Sequence, residues 1–202
     1  MNWITKFIKP RIAALFKKKT SESGEALWTT CECKNLIYKE DLQNNLKTCP
    51  KCGAHHKLTC LERFEIFFDN KEFEILQTPI PKEDPLNFFD NKSYKDRLRD
   101  AKKKTRQDDA VLIATGKVQN TDVTVGAQDF RFIGGSFGAA SGEAFIYGAQ
   151  HAITNRQPFI FFSCSGGQRM MESGIALMQM TRTVLAVNEL KKNKIPYIVV
   201  LT

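Results

Sequence analysis

The sequence predicts an α/β domain preceded by a small cysteine-rich module. Between residues 110 and 201, short apolar runs typical of strands alternate with longer segments of helical spacing. This alternation indicates stacked β–α units with a largely parallel sheet. Five of the six cysteines lie between Cys31 and Cys60, and such clustering favours a metal site over a secreted disulfide framework.

Composition and charge limit the class of protein. Hydrophobic residues make up 42% of the chain and charged residues 26%, which is typical of a globular protein. No apolar run reaches the roughly 20 residues that span a bilayer. The net charge of +8 is concentrated in residues 1–20 and 91–106, whereas a protein that coats nucleic acid would spread it more widely. We expect a basic arm and linker over residues 1–27, no signal peptide and a cytoplasmic location.

The cysteine-rich module has the pattern of a four-thiolate zinc ribbon over residues 28–60. Two close cysteine pairs are separated by fifteen residues, so that a hairpin can bring two short turns face to face around a tetrahedral ion. Pro50 preorganises the second turn, and Gly53 permits a positive φ there. The predicted zinc ligands are Cys31, Cys33, Cys49 and Cys52.

The first cysteine pair departs from the usual spacing. A single residue, rather than two, separates Cys31 from Cys33. Cys60, His55 and His56 therefore stay open as alternative fourth ligands, although a simple ribbon favours Cys31. A site of this kind is structural, because four protein ligands leave no open position for water.

The sequence after the ribbon predicts two helices joined by a loop. Apolar residues from Leu61 to Phe73 have helical spacing, and prolines at positions 79, 81 and 85 predict a loop. Residues 93–104 return to a helical pattern, with Tyr94, Leu98 and Ala101 on one face. Lysines and arginines fill the other faces, where they could neutralise ligand phosphates or remain solvated.

The remaining residues alternate strand and helix. Residues 110–115 and 122–127 are rich in strand formers, and a helical stretch extends to about residue 153. A strand over 158–163, a long helix through Leu190 and a strand over 195–201 follow. Glycine pairs in residues 134–138 and 164–168 fall where strands give way to helices. Such turns expose backbone N–H groups to a ligand.

Neither glycine turn matches a nucleotide-binding or hydrolase motif. The spacing G-x-G-x-x-G and the Walker lysine are both absent, and Ser165 is not in a G-x-S-x-G elbow. His151 is the only histidine in this half of the chain, so neither Ser165 nor Cys164 has an evident base. We therefore expect a site built from backbone donors.

Four motifs occur in one order along the chain: W-x-x-C with C-P-x-C over residues 28–52, YKDRL at 94–98, GGSFG at 134–138 and SCSGGQRM at 163–170. Together they resemble the β subunits of bacterial acetyl-coenzyme A carboxylase carboxyltransferase, from the first residue to the last. The resemblance implies a four-cysteine zinc ribbon followed by stacked βα units of the ClpP/crotonase type over residues 61–202. It also implies that this domain is incomplete, because the second Gly-Gly turn of the family would follow Thr202.

The resemblance implies transfer of a carboxyl group from carboxybiotin, on a biotin carboxyl carrier protein, to acetyl-CoA. Malonyl-CoA for fatty-acid synthesis is the product. Loss of CO2 can leave a ureido anion that removes the acetyl proton, so the subunit needs only to hold substrates and stabilise an enolate. Implied oxyanion donors are Gly166 and Gly167, and implied coenzyme A contacts are Gly134, Gly135, Gly138, Arg97 and Arg99.

The implied partners are a carboxyltransferase α subunit in an α2β2 assembly, the biotin carrier protein and the ATP-using biotin carboxylase. The resemblance also implies that a chain ending at Thr202 is inactive alone. A competing hypothesis is a zinc-ribbon module that binds nucleic acid, fused to a noncatalytic α/β domain. Salt-dependent binding of RNA or DNA without binding of coenzyme A would favour it.

Overall fold

The computed structural model describes residues 27–202, and these form two compact units divided between His56 and Lys57. The predicted basic arm, apart from residue 27, lies outside the described residues. Among the described residues, no helix is both long and apolar enough to cross a bilayer.

The first unit is a hairpin followed by a short helix. Strands β1 (Trp28–Thr30) and β2 (Leu36–Tyr38) pair antiparallel, and helix α1 covers Lys39–Asn44. Its buried hydrophobic cluster is small and includes two of the cysteines alongside Ile37 and Leu42. A core of this size needs a crosslink, which a metal ion can supply.

The second unit contains a five-stranded sheet with strands in the order β3-β4-β5-β6-β7. Its elements, in chain order, are α2 (Cys60–Phe67), β3 (Phe73–Ile75), α3 (Tyr94–Thr105), β4 (Val111–Val118), β5 (Thr121–Gln128), α4 (Ala139–Asn155), β6 (Phe159–Ser163), α5 (Gly174–Lys192) and β7 (Tyr197–Leu201).

The sheet is parallel only from β5 onward. Strands β5, β6 and β7 pair parallel, with α4 and α5 as the crossover helices that the sequence pattern predicted. Strands β3, β4 and β5 pair antiparallel. The turn between β4 and β5 holds Gln119 and Asn120, both at positive φ, and a two-residue turn of this kind permits only antiparallel pairing. The predicted largely parallel sheet is therefore mixed.

The helix predicted from Leu61 to Phe73 is shorter in the structure. It begins at Cys60, after a capping box formed by Thr59 and Glu62, and ends at Phe67. Phe68 has an extended backbone (φ -82°, ψ 146°), which ends the helix, and Phe73 already belongs to β3. The apolar spacing of this segment combines a helix and a strand that face the same core.

Strand β6 contributes side chains to the hydrophobic clusters on both faces of the sheet. Phe159 and Phe161 pack with α4 and α5, while Ile160 and Phe162 pack with α2. This alternation follows the two-residue period of a strand. A strand covered on both faces must be apolar throughout, and the sequence 159–162 (FIFF) meets that requirement.

Candidate functional site

The four predicted cysteine ligands lie together in the first unit. Cys31 Sγ lies 3.7 Å from Cys52 Sγ, and Cys33 Sγ lies 4.0 Å from Cys49 Sγ. All four sulfur atoms lie within 4.8 Å of one another. Tetrahedral zinc with Zn–S bonds of about 2.3 Å would place its sulfur ligands about 3.8 Å apart. The cluster therefore fits zinc.

A local turn explains how Cys31 and Cys33, despite their one-residue spacer, both direct a sulfur atom into the cluster. The amide of Lys34 donates to the Cys31 carbonyl at 2.9 Å, and Lys34 has a φ of 64°. Asn35 Nδ2 donates to Cys33 Sγ at 3.3 Å. The hydrogen bonds from the Asn35 side chain and backbone lower the pKa of the Cys33 thiol to about 6, which favours the thiolate that binds metal.

The second cysteine pair, Cys49 and Cys52, has the turn that the sequence predicts. Gly53 has a φ of 74° and its amide donates to the Cys49 carbonyl at 2.9 Å. The amide of Lys51 points at Cys49 Sγ, at a distance of 3.4 Å. The positive φ predicted at Gly53 is confirmed.

Two of the alternative ligands, Cys60 and His55, lie elsewhere or have other contacts, and His56 is not part of the cysteine cluster. Cys60 is fully buried in the second unit, where its thiol donates to the Ala127 carbonyl at 3.1 Å. His55 Nδ1 lies 3.3 Å from Thr48 Oγ1. Among residues 27–202, the four cysteines are the only group of three or more potential ligands in range of one ion.

In the second unit, the two glycine-rich turns meet. We call them the 134–138 loop and the 164–168 loop. The Gly166 amide donates to the Gly134 carbonyl at 2.9 Å, and the Phe137 amide donates to the Gly167 carbonyl at 2.8 Å. The loops follow β5 and β6, which are neighbouring parallel strands. They therefore lie at the carboxyl edge of the parallel strands, where α/β folds bind ligands.

The glycines of the 134–138 loop have different surroundings. A side chain at Gly135 would collide with the Cys164 carbonyl oxygen, and one at Gly138 would collide with the Glu172 carboxylate. At Gly134 there is open space. Of these three predicted substrate contacts, only Gly134 borders an unfilled region.

Both predicted oxyanion donors already have acceptors within the chain. The Gly166 N–H is held by the backbone carbonyl of Gly134, whereas the Gly167 N–H donates to Ser165 Oγ at 3.0 Å. A hydroxyl can rotate away from an N–H group more readily than a backbone carbonyl can move. Gly167 has a φ of 120°, a conformation that L-residues rarely adopt.

A groove of about 490 Å³ opens beside the 164–168 loop. Ser165 and Gly167 supply its polar end, while side chains of α5 and β7 supply an apolar wall that includes Val184 and Val199. This combination suits a ligand with a polar reacting group and an apolar arm.

Sequence reasoning missed Gln128, whose side chain forms hydrogen bonds with both loops. This side chain at the end of β5 is buried. Its Nε2 donates to the Gly135 carbonyl at 3.0 Å, and its Oε1 accepts from the Cys164 amide at 3.2 Å. A polar residue at the end of an apolar strand is the only sequence signal for this contact.

Sequence reasoning also missed the ionic network around Arg169, which is only 1% exposed. Its Nη1 and Nη2 donate to the two Asp109 carboxylate oxygens at 2.5 and 2.9 Å. Nη1 also donates to Tyr94 OH at 3.2 Å. Burial alone would lower the pKa of Arg169, but the Asp109 carboxylate and Tyr94 outweigh it and raise that pKa. The guanidinium therefore stays charged in the interior.

The predicted coenzyme A contacts on α3 are in ion pairs. Arg97 Nη2 lies 2.5 Å from Asp90 Oδ1, and Arg99 Nη2 lies 2.6 Å from Asp96 Oδ1. The side chains of both ion pairs are partly exposed to solvent. Ion pairs in such positions are weak, so an arginine can exchange its carboxylate partner for another anion.

Most of the chain matches two known domain families. The profile of the carboxyl transferase domain matches residues 54–202, and that of the acetyl-CoA carboxylase zinc finger domain matches residues 28–52. The chain belongs to the carboxyl transferase family.

Curated relatives place it among the β subunits of this family. The acetyl-coenzyme A carboxylase carboxyl transferase subunit beta of Pelagibacter ubique (strain HTCC1062) is 52% identical over the whole chain. The corresponding subunit of Jannaschia sp. (strain CCS1) is 43% identical. The chain spans 66% and 63% of the length of these two relatives. The resemblance of the sequence motifs to these subunits is thus confirmed.

Two solved structures share the fold. The transcarboxylase 12S structure matches with a TM-score of 0.57 and 21% identity, covering 81% of this chain and 27% of that one. A Pseudomonas malonate decarboxylase heterodimer matches with a TM-score of 0.51 and 20% identity, covering 70% and 51%. The predicted crotonase-type α/β class with an N-terminal cysteine ribbon is confirmed.

Proposed function

We propose that this family member acts in the carboxyltransferase β subunit of acetyl-CoA carboxylase. The subunit transfers a carboxyl group from carboxybiotin, on its carrier protein, to acetyl-CoA, and malonyl-CoA for fatty-acid synthesis is the product. The observation that supports this role most directly is the 164–168 loop. It presents the Gly167 N–H beside a groove, covered only by a serine hydroxyl.

The proposed reaction needs no side-chain base from this chain. The C–N bond of carboxybiotin breaks and releases CO2, and its ureido nitrogen takes a proton from the acetyl methyl carbon. That carbon then forms the new C–C bond with CO2. Between these steps the thioester oxygen carries negative charge, so a preorganised N–H donor accelerates the transfer.

We assign that donor to Gly167 rather than to Gly166. The Gly166 N–H is bonded to the Gly134 backbone, and it holds the two loops together. The Gly167 N–H needs only the Ser165 hydroxyl to rotate before it can bind the enolate oxygen. In this arrangement Gly166 is needed for the shape of the site and Gly167 for its chemistry.

Coenzyme A is proposed to lie against Gly134 and the basic face of α3. Arg97 and Arg99 would exchange their exposed carboxylate partners for coenzyme A phosphates, as charge-assisted hydrogen bonds to phosphate allow. Gly135 and Gly138 contribute indirectly, because their missing side chains let Cys164 and Glu172 approach.

Zinc is proposed to be held by Cys31, Cys33, Cys49 and Cys52, as their sulfur spacing supports. The ion supplies a structural crosslink to the ribbon and takes no part in carboxyl transfer. The proposed partners are the α subunit in an α2β2 assembly, the biotin carboxyl carrier protein and the ATP-using biotin carboxylase, all in the cytoplasm.

The test is a carboxyl-transfer assay of the full-length protein with its α subunit and a carboxybiotin-loaded carrier. We expect malonyl-CoA to form from acetyl-CoA, and a Gly167→Val variant to lose most of this activity at unchanged zinc content. Absence of malonyl-CoA formation by the folded, zinc-loaded assembly would contradict the proposal. Salt-dependent RNA binding by that assembly without acetyl-CoA binding would favour the nucleic-acid-binding alternative.

A further inference from the structure

Arg169 joins the two glycine loops through its backbone and its side chain. Its amide donates to the Phe137 carbonyl at 3.0 Å. Its Nη2 donates to the Ser136 carbonyl at 2.6 Å, and its Nε donates to Ser136 Oγ at 3.1 Å. One residue therefore binds two consecutive residues of the 134–138 loop, and it lies two positions after Gly167.

The Asp109 carboxylate, which accepts hydrogen bonds from the Arg169 guanidinium, is itself held in place by further hydrogen bonds. Asp109 Oδ1 accepts from the Ala110 amide at 2.7 Å and from Ser141 Oγ at 2.5 Å. Ala110 immediately precedes β4, and Ser141 lies in the first turn of α4. The guanidinium is thus anchored to the sheet and to the helix that starts after the 134–138 loop.

The geometry of these contacts requires a guanidinium rather than a positive charge alone. The planar fork meets both Asp109 oxygens in parallel while Nε and Nη2 reach Ser136. A lysine ammonium is a compact point charge and cannot make all of these bonds at once. In a close-packed interior, the loss of such a fork shifts the attached backbone rather than leaving it in place.

We propose that Arg169 is a positioning residue for carboxyl transfer. It fixes the 134–138 loop against the 164–168 loop and so directs the Gly167 N–H toward the place where the enolate oxygen forms. This inference rests on the proposed function. The residue does not touch the substrate and acts through Ser136 and Phe137. Misplacement of a reacting group by about 1 Å can cost about 100-fold in rate.

The test compares Arg169→Lys with Arg182→Lys in the full-length protein assembled with its α subunit. Arg182 also forms an ion pair between helices, with Glu143 Oε1 at 2.6 Å, and its hydrogen bonds within residues 27–202 go to Glu143 and Gln179 rather than to either loop. We expect Arg169→Lys to lower kcat about 100-fold while KM for acetyl-CoA changes less than about threefold, because Gly134 is the single proposed direct coenzyme A contact on the 134–138 loop and Arg97 and Arg99 lie on α3. Arg182→Lys should retain both constants.

Two further measurements separate positioning from a general loss of structure. Amide hydrogen exchange should speed up in both loops of Arg169→Lys and stay unchanged in the zinc ribbon. In Arg169→Ala, millimolar guanidinium chloride should restore part of kcat, and sodium chloride at the same ionic strength should not. A purely structural role predicts neither selective exchange nor rescue by guanidinium.

If Arg169→Lys does not yield folded protein, Ser136→Ala decides the question. This variant removes only the acceptor of the Nε bond, so kcat should fall several-fold at unchanged KM and exchange should rise in both loops. Full kcat in Arg169→Lys, or unchanged kcat and exchange in Ser136→Ala, would overturn the inference. A wild-type assembly that forms no malonyl-CoA would instead contradict the proposed function.

Discussion

Glu172 Oε2 lies 2.6 Å from the backbone nitrogen of Ala139, the first residue of α4. The residue before that helix is Gly138, which has no side chain to cap it. Glu172 therefore caps α4 from a distant part of the chain, and its other oxygen accepts from Tyr94 OH at 2.6 Å. A carboxylate at a helix N-terminus is also favoured by the helix dipole.

Loss of this distant cap should destabilise the second unit. We expect Glu172→Ala to lower the free energy of unfolding by about 1–3 kcal/mol, because it leaves the Ala139 N–H and Tyr94 OH without acceptors in the interior. Glu172→Gln retains one carbonyl oxygen and should lose less. Urea unfolding followed by circular dichroism measures both, and equal midpoints for Glu172→Ala and wild type would contradict the assigned cap.

Gly167 should tolerate substitution poorly. At its φ of 120° a branched side chain is strongly disfavoured, so Gly167→Val should shift the N–H and lower carboxyl transfer by about 100-fold or more. Gly174→Ala is the matched control, because Gly174 has open space around it and lies in the first turn of α5. Equal activity of the two variants would remove Gly167 from the mechanism.

Ser165 separates the proposed mechanism from nucleophilic catalysis. Its hydroxyl covers the Gly167 N–H, so Ser165→Ala should retain carboxyl transfer within about threefold if the N–H is the working group. A serine nucleophile would instead lose several orders of magnitude on this change. Steady-state turnover of the two proteins decides between these mechanisms, and a loss beyond about tenfold would refute the proposed role of Gly167.

Metal analysis tests the zinc ligands. Cys31→Ala should lose zinc or bind it much more weakly, because three thiolates remain around the ion. His55→Ala should keep one zinc per chain, because His55 is bonded to Thr48 instead. Atomic absorption and chelator competition give both results. Full zinc occupancy with unchanged affinity in Cys31→Ala would eliminate that ligand.

Cys60 should make stability depend on pH in alkaline solution. Burial raises the pKa of its thiol from 9.0 to about 12. The native thiol therefore stays protonated after the unfolded one has ionised, and the free energy of unfolding should fall as pH rises from about 9 toward 12. Urea unfolding across this range measures the slope. Cys60→Ala should show a shallower decline, and an identical slope would contradict the prediction.

The parts of the structure that sequence predicted are those determined by residues close together in the chain. The ribbon follows from two cysteine pairs and the turns at Lys34 and Gly53. The helix predicted over 93–104 is present as α3, because its apolar spacing and its Ser93 cap are both local. The strand–helix alternation after residue 110 likewise depends on short runs of residues.

The contacts that sequence reasoning missed join distant positions. Arg169 meets Asp109 across sixty positions of the chain, and Glu172 meets Tyr94 across seventy-eight. Neither pairing has a spacing that a single sequence reveals. The same holds for the acceptors that hold the Gly166 and Gly167 N–H groups, since they depend on how the two loops meet.

The mixed pairing of the sheet has a consequence for the order of folding. Strands β4 and β5 are joined by a two-residue turn, so their hairpin closes with little loss of chain entropy. Strand β6 can join β5 only after α4 has crossed the sheet, and β7 must wait for α5. Contacts between residues near in sequence form faster than those between distant residues. The antiparallel hairpin is therefore the expected nucleus, and the two glycine loops would meet only late in folding.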